Sequence, residues 1–181
     1  MIFRETELKG SFIVEAEPIE DVRGFFARIW CEHEFETKGL KVSWVQSNIS
    51  GNHRKGTLRG MHYQVAPHEE IKLVRCTSGS IYDVIIDLRH QSPTYLKHMG
   101  VELSSRNRKM LYIPEGFAHG YQTLEDNTEV LYSMSAFYAT ESARGVRWND
   151  PLFGIRWPDD DRIISERDQH YSDIIPQEVQ R

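Results

Sequence analysis

LRGMHYQVAPHEEIKLVR, residues 58–75, reads as two strands joined by a polar loop. Side chains on a strand alternate between its faces, so Met61 and Tyr63 point opposite to His62, and Ile71 and Leu73 opposite to Lys72. If the apolar sets pack between sheets, His62 and Lys72 share the other surface. Taken alone, that surface is better explained by solvent, but Arg59, His62 and Lys72 on two neighbouring strands form an unusual group. A second segment, YIPEGFAHGYQ at 112–122, places His119 just after a Pro114-Glu115-Gly116 turn. The run EVLYSMSAFY at 129–138 then brings Tyr132 and Tyr138 in a further strand.

Outward from these segments, runs rich in β-branched and aromatic residues recur at short spacing: 11–18, 24–31, 41–50, 57–64, 71–77, 80–88, 109–116, 120–124 and 129–138. Turn signals at Ser78-Gly79, Pro114-Glu115-Gly116 and Glu125-Asp126-Asn127 separate them. CEHEFETKGL at 31–40 has helical character and ends at Gly39 as a C-cap does, and a short helix is expected around ISERDQ at 164–169. The pattern is that of an all-β antiparallel sandwich or barrel. Polar side chains at inward strand positions of such a barrel line a ligand cavity.

The chain has 181 residues, which suits one domain over 1–175, with 176–181 expected as a frayed tail. No apolar run approaches the roughly 18 to 20 residues that cross a bilayer. The opening MIFRETELKGSF has no apolar signal region, so a cytoplasmic location away from membranes is expected. Cys31 and Cys76 are the only cysteines and form no C-x-x-C pair, which argues against a disulfide framework or a structural zinc site. A net charge of -5 argues against nucleic acid as a partner, while a few arginines in one pocket still suit a small anion.

Two motifs resemble the cupin pattern, in which one strand pair supplies two histidines and a glutamate and a second supplies P-x-G-x-x-H. Pro114, Gly116 and His119 match the second. The first is broken, because Gln64 stands where a second histidine belongs, although Glu69 or Glu70 could supply the carboxylate. Losing an imidazole and gaining the Lys72 cation both weaken a metal site, so no metal and no cofactor are expected.

The chain as a whole resembles the dTDP-4-dehydrorhamnose 3,5-epimerase family. The resemblance is carried by DVRGFF at 21–26, QSNIS at 46–50, KGTLRGMHYQ at 55–64, KLVRCTSGSIYDVIIDLR at 72–89, SPTY at 92–95, IPEGFAHG at 113–120, RGVRWNDPLFGIRWP at 144–158 and SERD at 165–168. It implies a double-stranded β-helix barrel with a few short helices, a homodimer built through N-terminal strands, and a nucleotide-diphospho-4-keto-6-deoxyhexose as substrate.

Such a ketone acidifies the protons on C3 and C5. Epimerisation then needs a base, a cation for the enolate oxygen and an acid on the opposite face. The resemblance assigns the base to His62, oriented by Asp168, the cation to Lys72 and the acid to Tyr132. Read alone, Asp168 is a helix-start or surface carboxylate, Lys72 a barrel-rim ion pair, Tyr132 a packed strand tyrosine and His119 a satisfied histidine. The resemblance further places His119 against the sugar or the lysine, Arg59 at a phosphate, Gln46 and Asn48 near the diphosphate and sugar, and Tyr138 as a stacking surface. Arg23 and Phe26 match positions that cross to the neighbouring subunit's pocket.

One departure bears on specificity. Where the family often has a glutamate that accepts from thymine N3–H, this chain has Arg28. Arginine only donates, which fits the cytosine acceptor better and opens a CDP-linked 5-epimerase as an alternative; Arg28 facing solvent or paired with a carboxylate explains it equally. From other classes, a metal-dependent cupin oxygenase or isomerase would use His62, Glu69 or Glu70, and His119, and a sugar-nucleotide binding module would have no use for Lys72 or Tyr132.

Overall fold

The structure, a computed structural model, describes residues 1–40 and 43–176. The first two residues of the strand expected at 41–50, and all of the expected tail beyond Pro176, lie outside the described residues.

In chain order the strands are β1 (Ile2–Glu5), β2 (Phe12–Glu15), β3 (Ile19–Asp21), β4 (Gly24–Phe26), β5 (Gln46–Asn52), β6 (Thr57–Gln64) and β7 (Lys72–Ser78). They continue as β8 (Ser80–Asp87), β9 (His98–Ser104), β10 (Lys109–Ile113), β11 (Phe117–Thr123), β12 (Thr128–Met134), β13 (Ala143–Gly145) and β14 (Ile163–Ile164). Two short helices, α1 (Glu32–Glu36) and α2 (Glu166–Gln169), complete the set. One sheet has the order β1-β2-β10-β7-β12-β5 and the other β13-β6-β11-β8-β9, with β14 alongside β6; β3 and β4 form a separate hairpin. From β5 to β12 the chain switches sheet at every step except the β8–β9 hairpin. That winding is the jelly-roll of the expected cupin barrel.

Consecutive strands therefore lie in different sheets, which corrects the expectation that the strands of Arg59, His62 and Lys72 are neighbours. β6 and β7 face each other across the barrel. The direction of burial also differs from the expectation. Met61 packs on the outer face of its sheet with Leu58, Val84, Ile86, Ala118 and Trp157, and Leu73 on the outer face of the other with Phe35 and Tyr112. Residues from both sheets, among them Val74, Cys76, Ile81, Ile85, Leu111, Phe117 and Val130, fill one part of the interior. His62 and Lys72 share the rest of it. Alternation separates the right sets, but the apolar ones lie outside because the N-terminal segment with α1 and the C-terminal stretch cover the sheets.

The expected turns are present, with Gly79, Gly116 and Asn127 at positive φ. The expected strand at 24–31 shortens to β4, and β1, β3, β9, β13 and β14 had no strand signal strong enough to expect. In β9, Gly100 interrupts the run; a Cβ there would sit 2.0 Å from the Tyr82 hydroxyl, so the packing demands glycine. Both expected helices form, and Ser165 caps α2 by accepting from the Asp168 amide at 3.2 Å.

Candidate active site

The polar part of the interior is a cavity of about 440 Å³ lined from both sheets. β5 supplies Gln46 and Asn48, β6 Arg59 and His62, β7 Lys72, β11 His119 and β12 Tyr132, while Tyr138 stands at its mouth. Eight of the expected site residues thus meet in one place.

Arg59 and His62 are three positions apart and would face opposite ways on a regular strand. An irregularity brings them together: Tyr121 pairs with Arg59 and His119 with His62, so two steps along β11 oppose three along β6. Gly60, at φ +139°, sits at this point, and a Cβ on it would lie 2.5 Å from the Cα of Gly120. Only glycine allows the approach.

Asp168 completes the group from α2. It is 4% exposed, and its Oδ1 lies 2.7 Å from His62 Nε2, while the Gly60 amide donates to Oδ2 at 3.1 Å. Burial alone would raise this carboxyl; the hydrogen bond and charge of His62, with the Gly60 amide, hold it below the ordinary carboxylate value. An ionised carboxylate accepts, so when the imidazole is neutral its proton sits on Nε2 and its lone pair on Nδ1. The Tyr171 ring packs edge-on against His62, with centroids 6.0 Å apart.

Across the cavity, burial raises the Tyr132 phenol above its ordinary value, with Arg59 pulling partly back, so the phenol keeps its proton at neutral pH. Lys72 is 8% exposed and pairs with Glu70 at 2.9 Å. Arg59 is held by Asn52, whose Oδ1 accepts from Nε at 2.8 Å. Gln46 donates to Asn48 at 3.1 Å and accepts from the Tyr138 amide at 3.1 Å. His119 Nε2 lies 2.7 Å from Asp83 Oδ1 without hydrogen-bond geometry.

Of the donors weighed for a metal, His62 Nε2 lies against Asp168, Glu70 against Lys72 and His119 Nε2 against Asp83. Among the described residues no three histidine, cysteine, aspartate or glutamate side chains converge on one point. Arg23, Phe26 and Arg28 do not reach the cavity of their own chain. Arg23 pairs with Asp21 at 2.6 Å and Phe26 is 72% exposed, both on the β3–β4 hairpin. Arg28 pairs with Glu34 at 2.8 Å, the carboxylate pairing allowed for it from sequence.

The model of one family, dTDP-4-dehydrorhamnose 3,5-epimerase, matches residues 5–175. The chain belongs to that family. The dTDP-4-dehydrorhamnose 3,5-epimerase of Shigella flexneri is 42% identical over 165 residues, covering 91% of each chain. Among solved structures, the dTDP-4-dehydrorhamnose 3,5-epimerase of Bacillus anthracis, with TDP and PPi bound, has a TM-score of 0.93 and 38% identity over 96% of this chain and 99% of its own. The enzyme of Legionella pneumophila, in complex with dTDP-4-keto-L-rhamnose, has a TM-score of 0.87 and 34% identity over 92% and 89%. Membership of this epimerase family places the chain among the isomerases. Among the described residues no helix is long and apolar enough to cross a membrane.

The epimerase cavity also holds residues not singled out from sequence. Arg144 and Arg167 line it, and both lie inside the motifs RGVRW and SERD, where their charge was the available signal. Tyr121 forms its floor, donating to Ser50 Oγ at 2.8 Å. Behind the wall, next to His119, lies the fully buried Asp83, the odd acidic residue inside the apolar run SIYDVII.

Proposed function

We propose that this chain epimerises a dTDP-linked 4-keto-6-deoxyhexose at C3 and C5 by proton exchange next to the ketone. His62 Nδ1, left basic because Nε2 is held by Asp168, takes the proton from carbon. The electron pair moves onto the C4 oxygen, where Lys72 meets the developing charge; a fixed donor in such a pocket contributes roughly 3 to 4 kcal/mol. Tyr132, from the facing sheet, gives its proton to the other face of the same carbon. The carbon regains its hydrogen with inverted configuration and His62 leaves as an imidazolium. Proton return through solvent resets both groups for the second centre. The scheme calls for no cofactor.

The observation that carries this reading is the placement of a His62–Asp168 pair and a Tyr132 phenol on opposite walls of one cavity with Lys72 between the sheets. His119 orients the sugar, Arg59 takes a phosphate oxygen, Gln46 and Asn48 contact the diphosphate and sugar, and Tyr138 stacks at the mouth. Arg23 and Phe26 serve the cavity of a second copy in a homodimer, which accounts for an exposed hairpin bearing Ile19, Val22, Phe25 and Phe26. A cytoplasmic location goes with a nucleotide-linked substrate.

The test is incubation in deuterium oxide with dTDP-4-keto-6-deoxyglucose, followed by NMR and mass, with His62→Ala as control. Deuterium at C3 and C5 that the variant does not introduce is the expected result. Absence of exchange above the control overturns the reading.

A further inference from the structure

Glu70 lies in the cavity but has no part in the proton transfers above. It stands two residues before Lys72 and both side chains line the same wall. The backbone between them is pinned: the Ile71 amide donates to Ser135 Oγ at 2.8 Å and the Ile71 carbonyl accepts from the Ser135 amide at 3.0 Å. Glu70 Oε1 lies 2.9 Å from Lys72 Nζ, and the same ammonium lies 3.5 Å from the His62 carbonyl oxygen on the facing sheet. An ammonium has three donors. Two oxygens on opposite walls lie within its reach, which leaves a donor for a ligand.

The Glu70 carboxylate is an expensive group to keep here. Its side chain is 4% exposed and Oε2 is buried with no hydrogen-bond partner. A buried carboxylate with an unmet acceptor is costly, and replacing a buried ion pair as a whole by neutral groups is often neutral or stabilising, whereas removing one partner alone strands the other charge. Fold stability therefore gives no reason for a charge at this position, whereas the lysine does.

Resting on the epimerase reading, we propose that Glu70 is a positioning residue for Lys72: it anchors the ammonium between two walls so that the third N–H is presented to the sugar's C4 oxygen. Preorganisation of this kind acts on the charge that develops during the reaction more than on the bound ketone. Its loss falls on kcat rather than on KM.

The experiment is a double-mutant cycle of Glu70→Gln and Lys72→Ala, reading kcat and KM with dTDP-4-keto-6-deoxyglucose, dTDP affinity and melting temperature. Glu70→Gln is expected to lower kcat by about tenfold or more, less than loss of the donor itself, with KM and dTDP affinity within about twofold. Its melting temperature should fall, since the Lys72 ammonium loses its counter-ion, so kinetics are read on the folded protein, and in the Lys72→Ala background it should lower kcat no further. An unchanged kcat, an equal loss in both backgrounds, or a loss of dTDP affinity in step with kcat overturns the proposal while leaving the epimerase reading intact. A wild type that turns over no substrate overturns both.

Discussion

His62 Nε2 lies 2.7 Å from Asp168 Oδ1 although 106 residues separate them. Burial works against the Asp168 charge, but His62 and the Gly60 amide outweigh it and the carboxyl titrates below its ordinary value. A lowered folded pKa contributes stability that is complete above the unfolded value, about 3.9, and is lost as pH falls through the folded one. Asp168→Asn should therefore be less stable than wild type at pH 7, and the gap should close as pH drops below about 4. Denaturant melts at the two pH values check this. Activity at pH 7 should fall by roughly three to four orders of magnitude, because an amide does not hold the required tautomer.

Gly60→Ala tests the strand irregularity. A methyl group there meets the Gly120 Cα at 2.5 Å and the His119 carbonyl oxygen at 3.1 Å, on a residue at φ +139°. Backbone strain and overpacking together should cost roughly 2 to 5 kcal/mol. The folded fraction should also lose kcat/KM, since relief of the clash separates β6 from β11 and turns Arg59 or His62 out of the cavity. A denaturant melt with kinetics on the folded protein measures both.

Alternation along residues 58–75 correctly separates His62 from Met61 and Lys72 from Leu73, because that property is local to each strand. It misplaces β6 and β7 as neighbours, since the sheet to which a strand belongs is decided by pairing with distant strands: Lys72 with Ile113 and Met134, His62 with His119 and Gly145. Arg59 was grouped correctly with His62, but simple alternation argues against it; the bulge at Gly60 is what reconciles them. Asp168 shows the other limit. Ser165 and the polar run after it announce a helix start, yet that this carboxylate is buried against a histidine on β6 follows only from how the C-terminal stretch lies across the sheet. Family motifs supplied that pairing where periodicity had none to offer.

Tyr132→Phe separates proton removal from inversion. Its phenol is kept protonated by burial, and its removal leaves His62 and Lys72 to form the enolate. Turnover to the inverted sugar should fall by roughly two to four orders of magnitude. Exchange of deuterium into recovered, uninverted substrate should persist, because His62 returns solvent-derived hydrogen to the face it came from. Mass and NMR analysis of the recovered sugar distinguishes this from a variant that abolishes exchange altogether, the result that would remove Tyr132 from the acid role.

Arg23 and Phe26 lie away from their own cavity, so the role proposed for them requires a second copy. If each hairpin completes the neighbouring cavity, Arg23→Ala spoils the partner's site and His62→Ala its own. Each variant alone should then be weakly active at best. In a mixed dimer, the subunit with an intact His62 receives an intact hairpin from the other, giving one working cavity. Random exchange of equal amounts makes half the molecules mixed, with one of two cavities active in each, so about a quarter of wild-type activity should return. Mixing the variants under conditions that allow subunit exchange measures it. Recovery of that size places the hairpin across the interface, whereas none beyond the sum of the two variants would return Arg23 to a surface ion pair with Asp21 and leave each cavity to work with the residues of its own chain.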